Sequence, residues 1–463
     1  MNNPPSFLTP EEPMPESDER HLRSGPRSSA MVLAGLLCGF CTGGEALRAQ
    51  TAADATDAGS ADRTGLPVAG PPTTDGDSHL GGDLLGLRPW LASRGMSLEA
   101  LLLGDLSRNF RGGISTGKEA FRHLLEVSFT LATEPLFGFE GGTFFVDFQT
   151  QDGRHGTENL VGDFQGFSNI DAPGFTALYE LWYEQVFLGG RLRLKLGKID
   201  ASNEFAFVEH GGPLINSSAG FSPTIVGLPT YPNPATGAVL FASPVESLYL
   251  GGALFDGATQ AGQPTGTRGP ATLFGEPSDL FLIAEAGVRR TTASGRLRRA
   301  GLGITHHTGT FDRLDSGSTG ATSEGATSFY LVLDQHLERQ SLQPSTGERP
   351  GSPTIDGFLQ IGVTDDRLSA VDLHTGGGVV WNGYLFGRRA DSFGVMGTYV
   401  RFGDGARAAG IAVDDYELAW ELFYRFEVTP WLHLKPDLQY IVHPGGVGNP
   451  DAFVGTLRLE LTL

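Results

Sequence analysis

Residues 179–201, "YELWYEQVFLGGRLRLKLGKIDA", decide how the rest of the chain is read. Polar and apolar residues alternate on both sides of Leu188-Gly189-Gly190, the period-2 signature of two extended strands joined by a turn. Glu180, Trp182 and Glu184 share one face before the turn, and Arg191, Arg193 and Lys195 continue that face after it. Leu192, Leu194 and Leu196 occupy the opposite face. On a solvated sheet such facing charges are cross-strand ion pairs of roughly 0.2–1 kcal/mol each. In a membrane barrel the same rows line a water-filled lumen, and the leucines meet lipid.

The pattern recurs. In "YELAWELFYRFEV" (416–428), Glu417, Glu421, Arg425 and Glu427 oppose an apolar face that carries tyrosines, Trp420 and Phe426. In "LHLKPDLQYIV" (432–442), His433, Lys435, Asp437 and Gln439 oppose leucines and Tyr440. The charged faces mark Glu421, Arg425, Lys435 and Asp437 as further candidate lumen residues. A soluble sandwich also alternates. Two features favour a barrel with its polar face inward. The segments approach the 9–11 residues of a tilted membrane-spanning strand, and aromatics sit near the ends of the apolar faces, as in interfacial girdles. Lipid leaves no backbone group without a partner, and a closed barrel has no edge. From Ser97 onward about sixteen such segments are expected, from 97–109 to 452–463, separated by Gly/Pro/Ser-rich loops. The fold class is therefore an all-β transmembrane antiparallel barrel of about 16 strands, wide enough to hold an aqueous channel.

Composition agrees with this. Charged residues make up 19% of the chain and there are 66 glycines, which suits strands and turns better than helices. The net charge of −20 excludes a nucleic-acid partner, because no basic face could dominate phosphate repulsion. No run of 18 apolar residues suggests a membrane helix. Cys38 and Cys41 lie in "MVLAGLLCGFC", too short to span a bilayer, with Arg20, Arg23 and Arg27 before it and small residues after it. This is the layout of an export signal, with cleavage after Ala46 or Ala49. Three domains follow: residues 1–49 a signal peptide with a long, acidic n-region, 50–82 a disordered Ala/Gly/Asp/Thr/Pro linker, and 83–463 the barrel.

The barrel region resembles the carbohydrate-selective porins (OprB type) of Gram-negative outer membranes. The likeness is carried by "LLGLRPWLASRGMSL", "GGTFFVDFQ", "LVGDFQGFSNIDAP", "LYELWYEQVFLGGRLRLKLGKIDASNEF", "GGPLINSSAGFSP", "SLYLGGALFDG" and "ELFYRFEVTPWLHLKPDLQYIVHPGG", in that order. The resemblance implies a sixteen-stranded barrel with a short N-terminal helical segment, in the outer membrane among lipid and lipopolysaccharide. It implies a homotrimer and passive diffusion of monosaccharides or small oligosaccharides, with no cofactor, metal or catalysis. The chain departs from the pattern in its N-terminal extension and in ending on Leu463 rather than an aromatic. The alternatives are a non-selective porin and a secreted all-β binding or adhesin module.

Other motifs have plainer readings. "GGISTGK" (112–118) has the spacing of a phosphate loop, but Glu119 stands where Ser or Thr is needed, so it is a loop between strands. Gly76-Asp77-Ser78 lies in the linker. His306 and His307 are adjacent on a strand and point to opposite faces, so they cannot chelate one ion together. Trp182 is either a sugar-stacking indole or a packing residue. Residues 213–237 are too long for a hairpin turn and read equally as a loop folded into the lumen or as an ordinary extracellular loop.

Overall fold

The computed structural model describes residues 78–291, 297–337, 354–383 and 386–463. Sixteen strands close into one antiparallel barrel, each paired with its sequence neighbours and β1 with β16. They are β1 (Met96–Arg111), β2 (Glu119–Ala132), β3 (Gly142–Gly153), β4 (Phe175–Phe187), β5 (Leu192–Ile199), β6 (Ala235–Val245), β7 (Leu248–Asp256), β8 (Leu280–Thr291), β9 (Leu297–Asp312), β10 (Thr322–Leu337), β11 (Thr354–Thr364), β12 (Val371–Asn382), β13 (Ser392–Phe402), β14 (Tyr416–Thr429), β15 (Leu432–Val442) and β16 (Ala452–Thr462). The expected strand count and the alternation that predicted it both hold.

The polarity is that of a membrane barrel. Exposed apolar residues such as Leu181, Leu196, Leu240, Leu254, Leu282, Trp420 and Leu457 point outward, while Asp105, Glu184, Arg193, Glu285, Lys435 and Arg458 are buried inside. This arrangement removes the secreted-module reading, whose apolar faces would pack on one another. Outward aromatics ring both ends: Phe110, Phe121 and Phe148 near one, Phe144, Phe187 and Phe426 near the other. Short turns such as 188–191, 246–247 and 430–431 mark one end, and long loops such as 154–174, 200–234 and 257–279 the other. In such barrels the short turns face the periplasm.

Before the first strand, α1 (Leu87–Ala92) supplies the expected helical segment. It closes the seam between β1 and β16. Arg88 donates to the Leu98 carbonyl at 2.8 Å and to the Leu463 carbonyl oxygen at 2.6 Å. The expected signal peptide and residues 50–77 of the expected linker lie outside the described residues. Residues 78–82, assigned to the linker by composition, lie against the barrel instead. His79 sits 2.6 Å from Glu99, and the Leu80 amide donates to the Thr462 carbonyl.

Two long connections, 154–174 and 200–234, fold inward and fill much of the lumen. Leu160, Phe167, Phe205, Ile215, Phe221 and Tyr231 are fully or almost fully buried there. Each buried large apolar side chain of this kind contributes roughly 1.5–3 kcal/mol. This settles the double reading of residues 213–237: they line the interior up to β6.

Candidate functional site

A loop inside a barrel brings its backbone amides with it, and each needs a partner away from bulk water. The wall supplies them as carboxylates. Glu417 accepts from the amides of Phe164, Gln165 and Gly445 at 2.7, 2.9 and 2.6 Å. Glu421 accepts from Ile215 and Asn216 at 2.6 and 2.9 Å. Glu180 accepts from Asp200, Glu285 from Ala206 and Asp334 from His210, at 2.9, 3.1 and 3.0 Å. Donors on the wall meet loop carbonyls in return: Lys435 to Pro213 at 2.9 Å, Gln439 to Phe167 at 2.7 Å and Arg299 to Phe207 at 2.8 Å. The two loops also pair with each other through Asn169 and Ile215, and through Ser217 and Gly166.

Charge clusters tie this plug to the wall. Arg193 contacts Glu184 at 2.9 Å and the loop residue Glu204 at 2.5 Å, and Lys195 contacts both at 3.5 and 2.5 Å. Burial pushes the Glu204 carboxyl up, but the two cations more than offset this and hold it at about 2. Arg425 and Lys435 share Glu460 at 2.7 and 2.6 Å. Arg458 grips Asp105 with two hydrogen bonds of 2.7 and 2.9 Å, while Ser168 of the first inward loop donates to the same carboxylate.

Glu180, Glu184, Arg193, Lys195, Glu421, Arg425, Lys435 and Asp437 all point inward and are buried. Most meet a loop or one another, and Asp437 accepts from the Gln439 side chain at 3.0 Å. Arg191 departs from the expectation: the strand begins one residue later, and Arg191 is an exposed turn residue. Trp182 points inward, but Phe145 is stacked on it at 4.7 Å and the Lys195 ammonium lies 3.7 Å from its ring centroid. Both are close ring contacts on a side chain only 5% exposed, so Trp182 is a packing residue rather than a sugar platform. His306 and His307 diverge as expected, the first to Thr327 on the outer face and the second to the Gly257 carbonyl inside.

A part of the interior that the motif reading missed lies on β7–β10. Glu285 is held by Arg299 at 2.5 Å and accepts from the hydroxyls of Tyr249 at 2.7 Å and Tyr330 at 2.8 Å. Both tyrosines lie flat on the wall over glycines. A Cβ on Gly303 would come within 2.0 Å of the Tyr330 ring, and one on Gly287 within 2.5 Å of the Tyr249 hydroxyl. Glycine at these positions lets the rings reach Glu285. A small hollow opens here, lined by Glu204, Phe207, Phe241, Tyr249, Glu285, Arg289 and Arg299. Arg289 and the neighbouring loop residue Glu209 are half-buried, and among the described residues neither side chain has a hydrogen-bond partner. Burial raises the Glu209 carboxyl above its ordinary range, and Arg289 counteracts that. The signal was present in "FLIAEAGVRR", where Glu285 and Arg289 alternate with apolar residues.

A closed sixteen-stranded barrel with an apolar belt, and a lumen narrowed by inward loops, defines an outer-membrane diffusion channel. The model of the family described as carbohydrate-selective porin, OprB family, matches residues 118–463, and the chain belongs to that family. Porin B of Pseudomonas aeruginosa is 23% identical over 436 residues, which cover 82% of this chain and 90% of that protein. The high-pH structure of Pseudomonas putida OprB superposes with a TM-score of 0.73 at 17% identity, covering 84% of this chain and 99% of that one. Its low-pH structure gives 0.53 at 15% identity, covering 83% and 98%.

Proposed function

We propose that sugars diffuse passively past the half-buried Arg289–Glu209 pair, beside Phe207 and the hollow behind it. The observation that carries this reading is that Arg289 and Glu209, half-buried and acting electrostatically on one another, have no side-chain hydrogen bond among the described residues, while most of the interior charges around them are engaged. A sugar hydroxyl both donates and accepts, so a guanidinium and a carboxylate together satisfy it. Such contacts must stay weak for the solute to leave. Nine of the ten lumen residues expected from the strands lie inside and act chiefly by holding the loops that set the bore. Arg191 is outside this reading. Family membership supports carbohydrates as the solutes, the outer membrane of a Gram-negative bacterium as the location, and lipid and lipopolysaccharide as the surroundings. Export through the N-terminal signal and assembly as a homotrimer belong to the same reading. Sequencing the mature N-terminus and weighing the native assembly test these two.

The main test is single-channel conductance in a planar bilayer with glucose and maltose titrated in as blockers. Sugar-dependent block of the wild type, weakened in Arg289→Ala and Glu209→Gln, is the expected result. Block that is absent, or uptake in liposomes that follows solute size alone, favours a non-selective porin.

A further inference from the structure

We propose that the outer face of β6–β9 binds one anionic phospholipid from the periplasmic leaflet, with an acyl chain in a groove on the barrel wall and the phosphate at Arg290 and Arg298. This site is on the lipid side of the wall and is independent of the solute path.

The groove has a volume of about 680 Å³. Its floor is made of small residues, Ala238, Ala242, Gly252 and Ala284, and its sides of Leu194, Leu240, Leu250, Leu254, Leu282 and Ile304. Elsewhere on the belt, large apolar side chains such as Leu106, Phe121, Phe148, Trp420 and Leu457 project into the lipid. Here the strand register sets Gly252 opposite Ala284, and further along Ala286 and Ala300 stand opposite Leu250 and Val288. Between the groove and the turn end, Ala286 and Ala300 alternate with the exposed Leu302 and Val288, so an acyl chain running down from Ala284 lies beside these side chains. A hollow in a hydrocarbon belt has to be filled, and a methylene chain is the chemistry available at that depth.

At the lower end of this path Arg290 and Arg298 are cross-strand partners on the same outward face. Arg298 also donates to the His336 carbonyl, which fixes its position. At comparable outward positions near other connections at this end stand aromatics: Tyr183, Trp381, Phe393, Tyr424 and Phe426. The girdle is thus replaced by two guanidinium groups at one place, directly beneath the groove.

The depth fits. Ala284 and Arg290 are six residues apart on β8, about 20 Å along a strand. With the usual tilt this projects to about 15 Å along the membrane normal, half of the hydrocarbon core. A chain whose headgroup sits at the arginines therefore reaches the bilayer midplane within the groove. Guanidinium groups pair with phosphate bidentately, and a net negative headgroup is favoured over a zwitterionic one.

The test is native mass spectrometry of the folded protein in mild detergent, with dioleoylphosphatidylglycerol, dioleoylphosphatidylethanolamine or lipopolysaccharide added. Wild type should retain one phosphatidylglycerol in preference to the other two. Arg290→Gln with Arg298→Gln should weaken retention about ten-fold or more, from roughly a factor of five for each lost cation. Gly252→Leu should abolish it by filling the floor. A Cβ at Gly252 finds no heavy atom nearer than the Ile283 carbonyl oxygen at 3.9 Å, so the larger side chain fits. Heat-modifiable gel mobility checks that each variant is folded, and Ala284→Leu serves if Gly252→Leu is not. Equal retention of phosphatidylethanolamine, preference for lipopolysaccharide, or unchanged retention in folded variants overturns the proposal.

Discussion

Glu204→Gln tests whether the second inward loop is held by buried charge. The carboxylate of Glu204 is the loop's contribution to a four-member cluster with Glu184, Arg193 and Lys195. Its carboxyl is held at about 2 against an ordinary 4.5, which corresponds to roughly 3 kcal/mol of stabilisation of the charged, docked form. Because the value in the folded protein is depressed, that contribution is complete above about pH 4.5 and is lost as the pH falls through about 2. Gln keeps the shape and removes the charge, leaving two cations with Glu184 alone. Removal of one partner from a buried pair costs about 3–5 kcal/mol, in line with the first figure. The undocked state of the loop should then rise roughly a hundred-fold at pH 7. Single-channel recordings should show new, longer-lived excursions to higher conductance in Glu204→Gln. Wild type should show the same excursions only as the pH approaches about 2. A conductance histogram for Glu204→Gln at pH 7 that superposes on that of wild type would refute the reasoning.

Three further outcomes follow from the structure. Arg289→Ala should shift the reversal potential toward cations, because it removes a half-buried interior cation that no side-chain hydrogen bond engages among the described residues, whereas Arg401→Ala, in an exposed pair with Asp372 at 2.7 Å, should leave it unchanged. Trp182→Ala should leave sugar block within two-fold but cost about 3–5 kcal/mol in urea titrations of the folded barrel, since it removes a buried stacked ring. Arg88→Ala, which frees the Leu463 end of the seam, should lower the temperature at which the barrel unfolds in detergent gels. Unchanged migration would show that α1 does not secure the closure.

The barrel was legible because lipid enforces a rule that sequence records directly. Every second residue of Leu432–Val442 must be apolar outside and polar inside, so Leu434 and Lys435 announce their faces. The interior was legible only in part. Glu421 reads correctly as inward, but nothing in the alternation shows that its oxygens are taken by the amides of Ile215 and Asn216. Those donors are backbone groups, which every residue carries, in a segment with no period. Trp182 likewise shows its direction and not its neighbours, because Phe145 comes from β3 and Lys195 from β5. Arg191 shares the parity of Arg193, yet Leu188 and Gly189 adopt left-handed backbone conformations and the turn carries Arg191 off the strand.

The anchoring of the loops also sets an order of events. Residues 164–165 and 215–216 belong to the first half of the chain, but Glu417 and Glu421 lie more than 200 positions later, on β14. The inward segments cannot reach their final seats until the fourteenth strand has curved round to face them. A ring still short of its last strands must therefore be emptier than the finished channel, and the narrow passage is among the last parts of the molecule to exist.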